Sequence, residues 1–354
     1  MTKNFIEILS KYQVSINKEL KFFFDTEIKE TKTPFLIKTL KELKEFSLRP
    51  GKRIRAILIN YGYFLAGGKD KKSILKTSIF IELIHNFLLI HDDIVDREKI
   101  RRGKATLHYQ YQKEPNLENE EKKHYGLSMA IVAGDMIEFL GRKILAQSKF
   151  SDNHKIEAIK KLNLILTLTA YGEMFEFWLR KKIKNGETIK EKDILDIYKT
   201  KTAFYTFIGP LQMGAALAGG NQKAINFFEK IGLPLGIAFQ IKDDIQDLFG
   251  EKKEIGSETA SDIKEGQPNL LIIKTLNKKQ GKIIKKYLWK KDINKKELKI
   301  IKNAVLKSGA YEDCQQIAKN LINRVKKDIV YANYPQKEKE FLLNLADYIL
   351  ERED

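Results

Sequence analysis

Cysteine is nearly absent from the 354-residue sequence, since Cys314 is the only one. A single thiol forms no internal disulfide and cannot build a cysteine zinc site. Proline is also scarce, with seven residues spread widely along the chain, and proline is the residue that most strongly interrupts helices. The sequence therefore suits long helices in a reducing compartment, and we expect a cytoplasmic protein.

Long uncharged apolar runs are missing as well. No segment approaches the ~18 apolar residues that a membrane-spanning helix needs. The stretch Met1–Lys21 mixes Lys and Glu with apolar residues and lacks the apolar core of a signal peptide. We therefore expect no transmembrane segment. Hydrophobic residues still make up 43% of the chain, which is enough to bury a sizeable core.

Acidic residues are outnumbered, because 65 Lys and Arg face 47 Asp and Glu and leave a net charge of +18. A basic chain raises the question of nucleic acid. The lysines, however, are spread along the sequence and interleaved with acidic residues, as in Lys290–Lys302. No recognition helix, zinc-finger spacing or aromatic-basic sheet motif is visible. We predict no nucleic-acid partner, and the positive charge is either a compositional bias or an aid in capturing phosphorylated substrates.

Apolar residues recur at positions i, i+3, i+4 and i+7 along almost the whole chain, whereas the alternation typical of β-strands is scarce. This periodicity predicts an all-α protein of about ten to thirteen helices. Shorter helices are expected within Asn269–Ile349. The clearest predicted helices are Asn4–Thr31, Arg53–Ala66, Lys72–Glu98, Leu127–Ala146, Asn153–Lys182, Glu191–Leu217 and Asn221–Phe249.

Two stretches resemble exposed loops. Lys113–Lys123 contains Pro115 and many charged residues, and Gly250–Asp262 follows a predicted helix. Neither loop is long enough to separate two domains, and no internal repeat of fixed period is visible. We therefore predict a single helical domain over residues 1–354, with residues 113–123 as an exposed loop.

An aspartate-rich motif occurs twice, each time at the end of an apolar helix. The first copy, Asp92–Asp96, reads Asp-Asp-Ile-Val-Asp, and the second, Asp243–Asp247, reads Asp-Asp-Ile-Gln-Asp. The outer aspartates are four residues apart and so share a helical face. Clustered carboxylates suit Mg²⁺, which binds a few protein oxygens together with substrate phosphates. One acidic cluster is more often a solvated surface, but two matching copies favour a metal-mediated clamp for a diphosphate.

Basic side chains accompany the acidic motifs. Gly51–Arg55 opens a predicted helix, and Lys52 and Arg55 share a face at its N-terminus, where phosphate is favoured. Each of the other polar candidates is a weak signal alone, because a lone basic residue is usually solvated and a lone histidine usually belongs to the core. These candidates are His85, Arg101, Arg102, Lys201, Thr202 and Gln240.

The order of these motifs resembles the trans-isoprenyl diphosphate synthase family, whose members include farnesyl and geranylgeranyl diphosphate synthases. The resemblance runs from Gly51 to Gln267, and the paired acidic motifs are its most specific feature. It implies a bundle of long helices around a deep central cavity, usually in a homodimer. The implied reaction is the Mg²⁺-dependent head-to-tail condensation of isopentenyl diphosphate with an allylic diphosphate such as the dimethylallyl, geranyl or farnesyl compound.

The resemblance also implies roles for individual residues. Six aspartates would hold about three Mg²⁺ ions on the allylic diphosphate: Asp92, Asp93, Asp96, Asp243, Asp244 and Asp247. Arg101, Lys201 and Gln240 would contact the same substrate, and Thr202 would lie near the developing carbocation. Four further residues would bind the diphosphate of isopentenyl diphosphate without metal: Lys52, Arg55, His85 and Arg102.

The length of the product should depend on residues that precede the first acidic motif. Phe87 and Leu88 lie five and four residues before Asp92, and in the family a large residue at the position of Phe87 shortens the cavity. We therefore expect a short product, with twenty carbons favoured over fifteen. The alternative is that both side chains are ordinary core residues.

The sequence departs from the family pattern at three places. Ser261 and Gln267 stand where lysines that help to hold the allylic diphosphate are usual. Ala105 replaces a customary proline, which we expect to matter little. Finally, Glu173 and Glu176 stand where Gln and Asp are usual, and Glu173 adds a negative charge.

Three alternatives remain open at this stage. A class I terpene cyclase shares the fold and the first acidic motif, but it usually carries a different second motif. A non-catalytic regulatory subunit of the same fold would fit the replacements Ser261 and Gln267. A basic helical nucleic-acid-binding protein would leave both acidic motifs unexplained.

Overall fold

The computed structural model describes residues 3–113, 116–250 and 260–351, and helices dominate all three ranges. The strand pairing in these ranges is a hairpin of two short antiparallel strands, β1 (Ile100–Arg101) and β2 (Lys104–Ala105). The prediction of an all-α protein is confirmed.

Contacts along the chain divide it into two compact units. The N-terminal unit comprises Ile6–Ala158 and Gly214–Gly219. The C-terminal unit comprises the described parts of Met1–Phe5, Ile159–Met213 and Gly220–Asp354. The single domain predicted for residues 1–354 stays a prediction.

Helix α5 (Phe80–Val95) packs along α7 (Asn119–Ala146) in the N-terminal unit. The two helices approach closely at Gly141, where a Cβ atom would lie 3.1 Å from the carbonyl oxygen of Phe80. The hairpin follows α5. The other helices that belong to this unit wholly or mostly are α1 (Lys3–Glu30), α2 (Pro34–Ser47), α3 (Ile54–Leu65), α4 (Lys71–Ser78) and α6 (Leu107–Tyr111).

Helix α11 (Gln222–Phe249) is central to the C-terminal unit, because it packs against a π-helix, π1 (Tyr198–Ile208), and against α16 (Ala310–Tyr331). Helices α8 (Asp152–Lys184) and α10 (Gly209–Leu217) each begin in one unit and end in the other. The remaining helices are α9 (Glu191–Ile197), α12 (Ser261–Glu265), α13 (Leu270–Leu276), α14 (Gly281–Ile284), α15 (Lys295–Ser308) and α17 (Gln336–Glu351).

Two predicted helices are interrupted in the structure. The helix predicted over Lys72–Glu98 is broken at Ile79 and ends at Val95. The helix predicted over Glu191–Leu217 contains the π-helical segment, which the apolar period did not indicate. The other predicted helices match observed ones within a few residues, apart from the start of α7.

Described helices begin inside both predicted loops. Helix α7 already begins at Asn119, inside the loop predicted over residues 113–123, and that loop's Glu114 and Pro115 lie outside the described residues. Residues 251–259 of the second predicted loop also lie outside them, and α12 begins at Ser261.

One helical stretch, Lys71–Val95, is long and apolar enough to cross a membrane by length and composition. Of its most apolar window, 61% is buried inside the protein, as in a core helix. Apart from this stretch, the described residues contain no helix that meets these criteria.

A buried ion pair joins the start of α3 to α5. Arg53 and Glu82 are 4% and 2% exposed, and an Nη1–Oε2 distance of 3.4 Å separates their charged groups. Glu82 also accepts the backbone N–H of Ala56, while Arg53 donates to Asn17 on α1 and to the carbonyl of Ser47 at the end of α2. The pair therefore fastens four helices together.

We expect Glu82→Gln to destabilise the protein by about 3 kcal/mol, because the Arg53 charge would remain buried without a counter-ion. Urea denaturation followed by circular dichroism measures this change. The control is Glu7→Gln, which removes an exposed pair with Lys11 and should leave the midpoint unchanged. Equal midpoints for both variants would show that the buried pair is energetically neutral.

Candidate active site

The first acidic motif lies at the C-terminal end of α5. Asp96 caps the helix, and its N–H donates to the carbonyl of Asp92 at 2.8 Å, so the outer aspartates lie one turn apart, as predicted. Both are half-buried, whereas Asp93 is 1% exposed. The C-terminal end of a helix is its negative pole, so carboxylates gathered there attract cations.

Asp93 has one cationic partner and one unsatisfied oxygen. Its Oδ1 accepts a hydrogen bond from Nε of Arg101, while its Oδ2 is buried without a hydrogen-bond partner. Burial raises the pKa of Asp93 to about 6 even though the charge of Arg101 acts in the opposite direction. A buried carboxylate in this state can accept a further cation.

Arg101 and its neighbour Arg102 are positioned by the hairpin. Arg102 and Gly103 form its turn with positive φ angles of 53° and 75°, a pair that two-residue type I′ turns require. Arg49 donates to the carbonyl oxygens of Arg101 at 3.3 Å and Ala105 at 3.0 Å. Both strands of the hairpin are thereby attached to the end of α2.

Four arginines of the N-terminal unit act on one another or on His85. The Nη1 atom of Arg55 lies 3.3 Å from Nε2 of His85. The pKa of His85 lies well below its usual range. Burial of the imidazole is the main cause, and the charges of Arg55 and Arg102 lower the pKa further. Burial also lowers the pKa of Arg102 to about 10, with further lowering by Arg53 and Arg101.

The guanidinium of Arg102 lies against Gly51, 3.1 Å from the point where a Cβ atom would be. Lys52 is exposed beside it. The structure thus groups Arg55, His85 and Arg102 as a basic cluster with a neutral imidazole, and Lys52 follows Gly51 at its edge in sequence. Such a cluster can bind a diphosphate without metal.

The second acidic motif lies near the C-terminal end of α11, again at a negative helix pole. Asp244 is 4% exposed and accepts hydrogen bonds from the hydroxyl of Tyr198 and, at 3.0 Å, from Nε2 of Gln240. Burial raises the pKa of Asp244 to about 7, and the charges of Asp243 and Asp247 add to this. Asp243 is half-buried.

Asp247 is held by the start of α12. Its carboxylate accepts the N–H of Ser261 at 3.0 Å, the hydroxyl of Ser261 at 2.5 Å and the N–H of Asp262 at 3.2 Å. Burial nevertheless raises the pKa of Asp247. Ser261 therefore acts as a neutral hydrogen-bond donor, and the positive charge that the family usually has there is missing.

The C-terminal unit also holds the three catalytic candidates that the sequence indicated there, and it connects two of them. Thr202 donates from Oγ1 to Oε1 of Gln240 at 2.7 Å, and Gln240 donates to Asp244. The Nζ of Lys201 lies 2.6 Å from Glu173 and 3.1 Å from Glu176. Both glutamates thus contact Lys201 directly.

Sequence reasoning missed Tyr198 and Arg53. Tyr198 reads as one apolar position of a helix, and only its hydroxyl contact with Asp244 distinguishes it. Arg53 reads as one more basic residue in Gly51–Arg55, although its side chain is directed into the core. A sequence signal for Arg53 did exist, since Glu82 is an acidic residue in the most apolar helical stretch.

The predicted floor residues lie on α5. Phe87 and Leu88 are half-buried, and the Phe87 ring packs edge-on against His91 with centroids 4.7 Å apart. Partial exposure distinguishes them from the fully buried Leu83 and Ile84 one turn earlier.

The donor set suits Mg²⁺. Each motif offers carboxylate oxygens at the negative pole of its own helix, and in the N-terminal unit these include the unsatisfied Oδ2 of Asp93. Among the described residues, no three His, Cys, Asp or Glu side chains already converge as a complete metal site. This fits an ion that takes part of its coordination from substrate phosphates and water.

Comparison with known proteins agrees with this chemistry. The sequence profile of the polyprenyl synthetase family matches residues 37–305. The geranylgeranyl diphosphate synthase of Sulfolobus acidocaldarius is 33% identical over 228 residues, which cover 64% of this chain and 63% of that protein. The short chain isoprenyl diphosphate synthase of Methanocaldococcus jannaschii is 30% identical over 262 residues, covering 74% and 70%.

A solved structure shares the fold over nearly the whole length. It is the geranylgeranyl pyrophosphate synthase of Corynebacterium glutamicum, complexed with isoprenyl diphosphate and magnesium. The two chains are 26% identical and superpose with a TM-score of 0.88, covering 97% of this chain and 99% of the other. On the profile match over most of its length, the chain belongs to the polyprenyl synthetase family.

Proposed function

We propose that the protein condenses isopentenyl diphosphate head-to-tail with an allylic diphosphate in a Mg²⁺-dependent reaction. The favoured product is geranylgeranyl diphosphate, with farnesyl diphosphate second. The observation that carries this proposal is the pair of aspartate motifs, each with a buried middle carboxylate whose pKa is raised. The names of the curated relatives support the twenty-carbon product.

The six aspartates of the two motifs would hold the Mg²⁺ ions of the allylic diphosphate, three per active site by family analogy. Asp92, Asp96, Asp243 and Asp247 are half-buried, whereas the middle aspartates Asp93 and Asp244 are buried, so the outer carboxylates suit direct coordination. Arg101 and Lys201 would contact the same diphosphate. Lys201 would then exchange its contacts with Glu173 and Glu176 for phosphate oxygens.

Isopentenyl diphosphate would bind through the basic cluster without metal. Lys52, Arg55 and Arg102 supply positive charge, and a neutral His85 can donate one hydrogen bond to a phosphate oxygen without adding charge. The cluster is held by Arg53, which keeps the start of α3 in place.

The reaction proceeds by ionisation, condensation and elimination. Mg²⁺ held by the aspartates of the two motifs would supply positive charge against the diphosphate leaving group. Arg101 and Lys201 add fixed positive charge at that group. Gln240 would contact the same allylic diphosphate, and Thr202 would lie near the allylic cation. The double bond of isopentenyl diphosphate then attacks C1 of that cation. A proton is then lost from C2 of the isopentenyl unit and passes to the released diphosphate.

The product length is proposed to depend on Phe87 and Leu88, which would close the end of the chain-binding space along α5. Both are large and only half-buried in the absence of substrate. A chain that has grown to twenty carbons would contact them and stop growing.

A homodimer is the proposed assembly. On α7, Val132 and Phe139 are 65% and 66% exposed and lie two turns apart on one face. On α8, the rings of Tyr171, Phe175 and Trp178 stack in a row with centroid distances of 5.9 and 5.6 Å. Exposed apolar rows of this kind are typical of protein interfaces.

The proposed location is the cytoplasm. Cys314 is 1% exposed, and burial raises the pKa of its thiol to about 12, so it is an unreactive core residue. Nothing in its environment requires an oxidising compartment.

The reaction is tested by giving the purified protein Mg²⁺, isopentenyl diphosphate and, separately, five-, ten- and fifteen-carbon allylic diphosphates. We expect a discrete C20 or C15 alcohol after dephosphorylation, and its loss on chelation of the metal. Asp92→Asn should lower kcat/KM by about 100-fold, while Asp292→Asn, an exposed control, should have no effect. No elongation from any starter would favour the regulatory subunit, and cyclic hydrocarbons would favour a terpene cyclase.

Product length is tested with Phe87→Ala. Removing the ring should open the floor and shift the products toward chains longer than those of the wild type, as sized by chromatography with mass detection. Ile84→Val, a buried change one turn earlier on α5, is the control and should leave the distribution as it is. A Phe87→Ala enzyme with wild-type products would reject the floor assignment.

The assembly is tested by sedimentation equilibrium. The expected mass is twice the 41.1 kDa of one chain. Phe139→Asp should shift the mass toward the monomer, because a charge would be buried at the interface. Tyr331→Asp, at a side chain that is 87% exposed outside these rows, should stay dimeric. A monomeric wild-type protein contradicts the proposal.

A further inference from the structure

Tyr198 joins the second acidic motif to a different part of the C-terminal unit. It is the first residue of π1 and is 3% exposed. Its hydroxyl donates a hydrogen bond to Oδ2 of Asp244 and accepts one, at 2.7 Å, from the backbone N–H of Leu270. Leu270 is the first residue of α13. The hydroxyl is therefore engaged on both sides.

The segment before Leu270 is attached to the same motif at its other end. As described above, Asp247 accepts both N–H groups at the start of α12. Between the two attachments, Asn269 donates to Asp262 at 2.6 Å and caps α13 by accepting the N–H of Ile272 at 2.8 Å. The segment from Ser261 to Leu270, here called the anchored segment, is thus held by two aspartates of one motif.

Asp244 is also oriented from its other side, because Gln240 donates to its Oδ1 and Thr202 in turn donates to Gln240. A chain of hydrogen bonds consequently runs from Thr202 through Gln240, Asp244 and Tyr198 to Leu270. Asp244 is therefore linked through the hydroxyl of Tyr198 to the first turn of α13.

We propose that Tyr198 is a positioning residue that fixes Asp244 and couples the acidic motif to the anchored segment. Binding of Mg²⁺ with a diphosphate and the placement of this segment are then one linked event. This inference rests on the proposed function, because it assigns the motif to a metal–diphosphate complex. The hydroxyl touches neither substrate nor metal and acts through Asp244.

Trp289 provides a reporter on the anchored segment. Its backbone N–H donates to the carbonyl of Ile263 at 2.9 Å, and its indole lies against Gly266, where a Cβ atom would come within 2.2 Å of Nε1. The sequence has only two tryptophans. In a Trp178→Phe background, fluorescence therefore reports on Trp289 alone.

The test uses Mg²⁺ with inorganic pyrophosphate as the probe. In the Trp178→Phe protein, adding both should change the Trp289 emission, whereas pyrophosphate with EDTA should not. Adding Tyr198→Phe, which removes only the hydroxyl, should weaken calorimetric binding of Mg²⁺–pyrophosphate by about tenfold, the order expected for one hydrogen bond to a charged group. The emission change should then follow the weakened binding.

The matched control is Tyr63→Phe, which also removes a buried tyrosine hydroxyl, one that accepts the N–H of Asp70 at 3.2 Å. It should keep wild-type pyrophosphate affinity. If Tyr198→Phe keeps wild-type affinity for Mg²⁺–pyrophosphate, with or without a lowered Tm, the proposal is overturned and Tyr198 has a purely structural role.

If Tyr198→Phe does not fold, the background protein still decides, because Mg²⁺–pyrophosphate binding without any Trp289 response would overturn the coupling. A wild-type protein that binds Mg²⁺–pyrophosphate and couples it to Trp289 but elongates no prenyl chain would contradict the proposed function alone.

Discussion

The N-terminal unit depends on one buried ion pair, Arg53 with Glu82. Burying two charges is costly unless each is paired and hydrogen-bonded, and Arg53 meets this condition with partners on α1, α2 and α5. It does so with a positive φ of 55°, a strained conformation for a residue with a side chain. In this conformation the side chain of Arg53 is buried, while Lys52 beside it remains exposed.

At neutral pH the buried carboxylates of both acidic motifs carry a free-energy cost that a bound cation would reduce. A carboxyl whose pKa is raised by folding binds protons more tightly in the folded than in the unfolded state. For Asp93 and Asp244 the contribution to stability therefore falls as pH rises from about 4 to about 6 or 7. At neutral pH these groups oppose folding, and a bound cation offsets this cost. The negative charge that cation binding needs at these two positions therefore lowers the stability of the folded protein.

Much of this could be predicted from sequence because it depends on local periodicity. The apolar period indicates the helices, and the spacing of aspartates at positions 92, 96, 243 and 247 specifies which carboxylates share a face. The interruption at Ile79 and the π-helical segment were not predictable in this way, because both retain apolar residues at helical spacing. Phe87 and Leu88 could be located on α5, but their role could not be read from their position.

Contacts between residues far apart in sequence were also beyond prediction. The hydrogen bond from the Leu270 N–H to Tyr198 spans 72 positions, and no pattern in the sequence pairs them. The sequence shows that Ser261 stands where a lysine is usual in the family. Its contact with Asp247, however, appears only in three dimensions. Sequence reasoning thus identified Gln240, which orients Asp244, but it missed Tyr198 on the other side of that carboxylate.

The π-helix limits which insertions and deletions this part of the chain can accept. Tyr198, Lys201 and Thr202 all lie in its first half, upstream of the point where α10 resumes the ordinary helical path. Losing one residue from an α-helix rotates everything beyond it by about 100°, and a one-residue deletion inside the wider turns of Tyr198–Ile208 would change which of its side chains share a face. Surface loops tolerate insertions and deletions far better than such a segment. The spacing within these eleven residues is therefore as much a part of the site as the identities of its side chains.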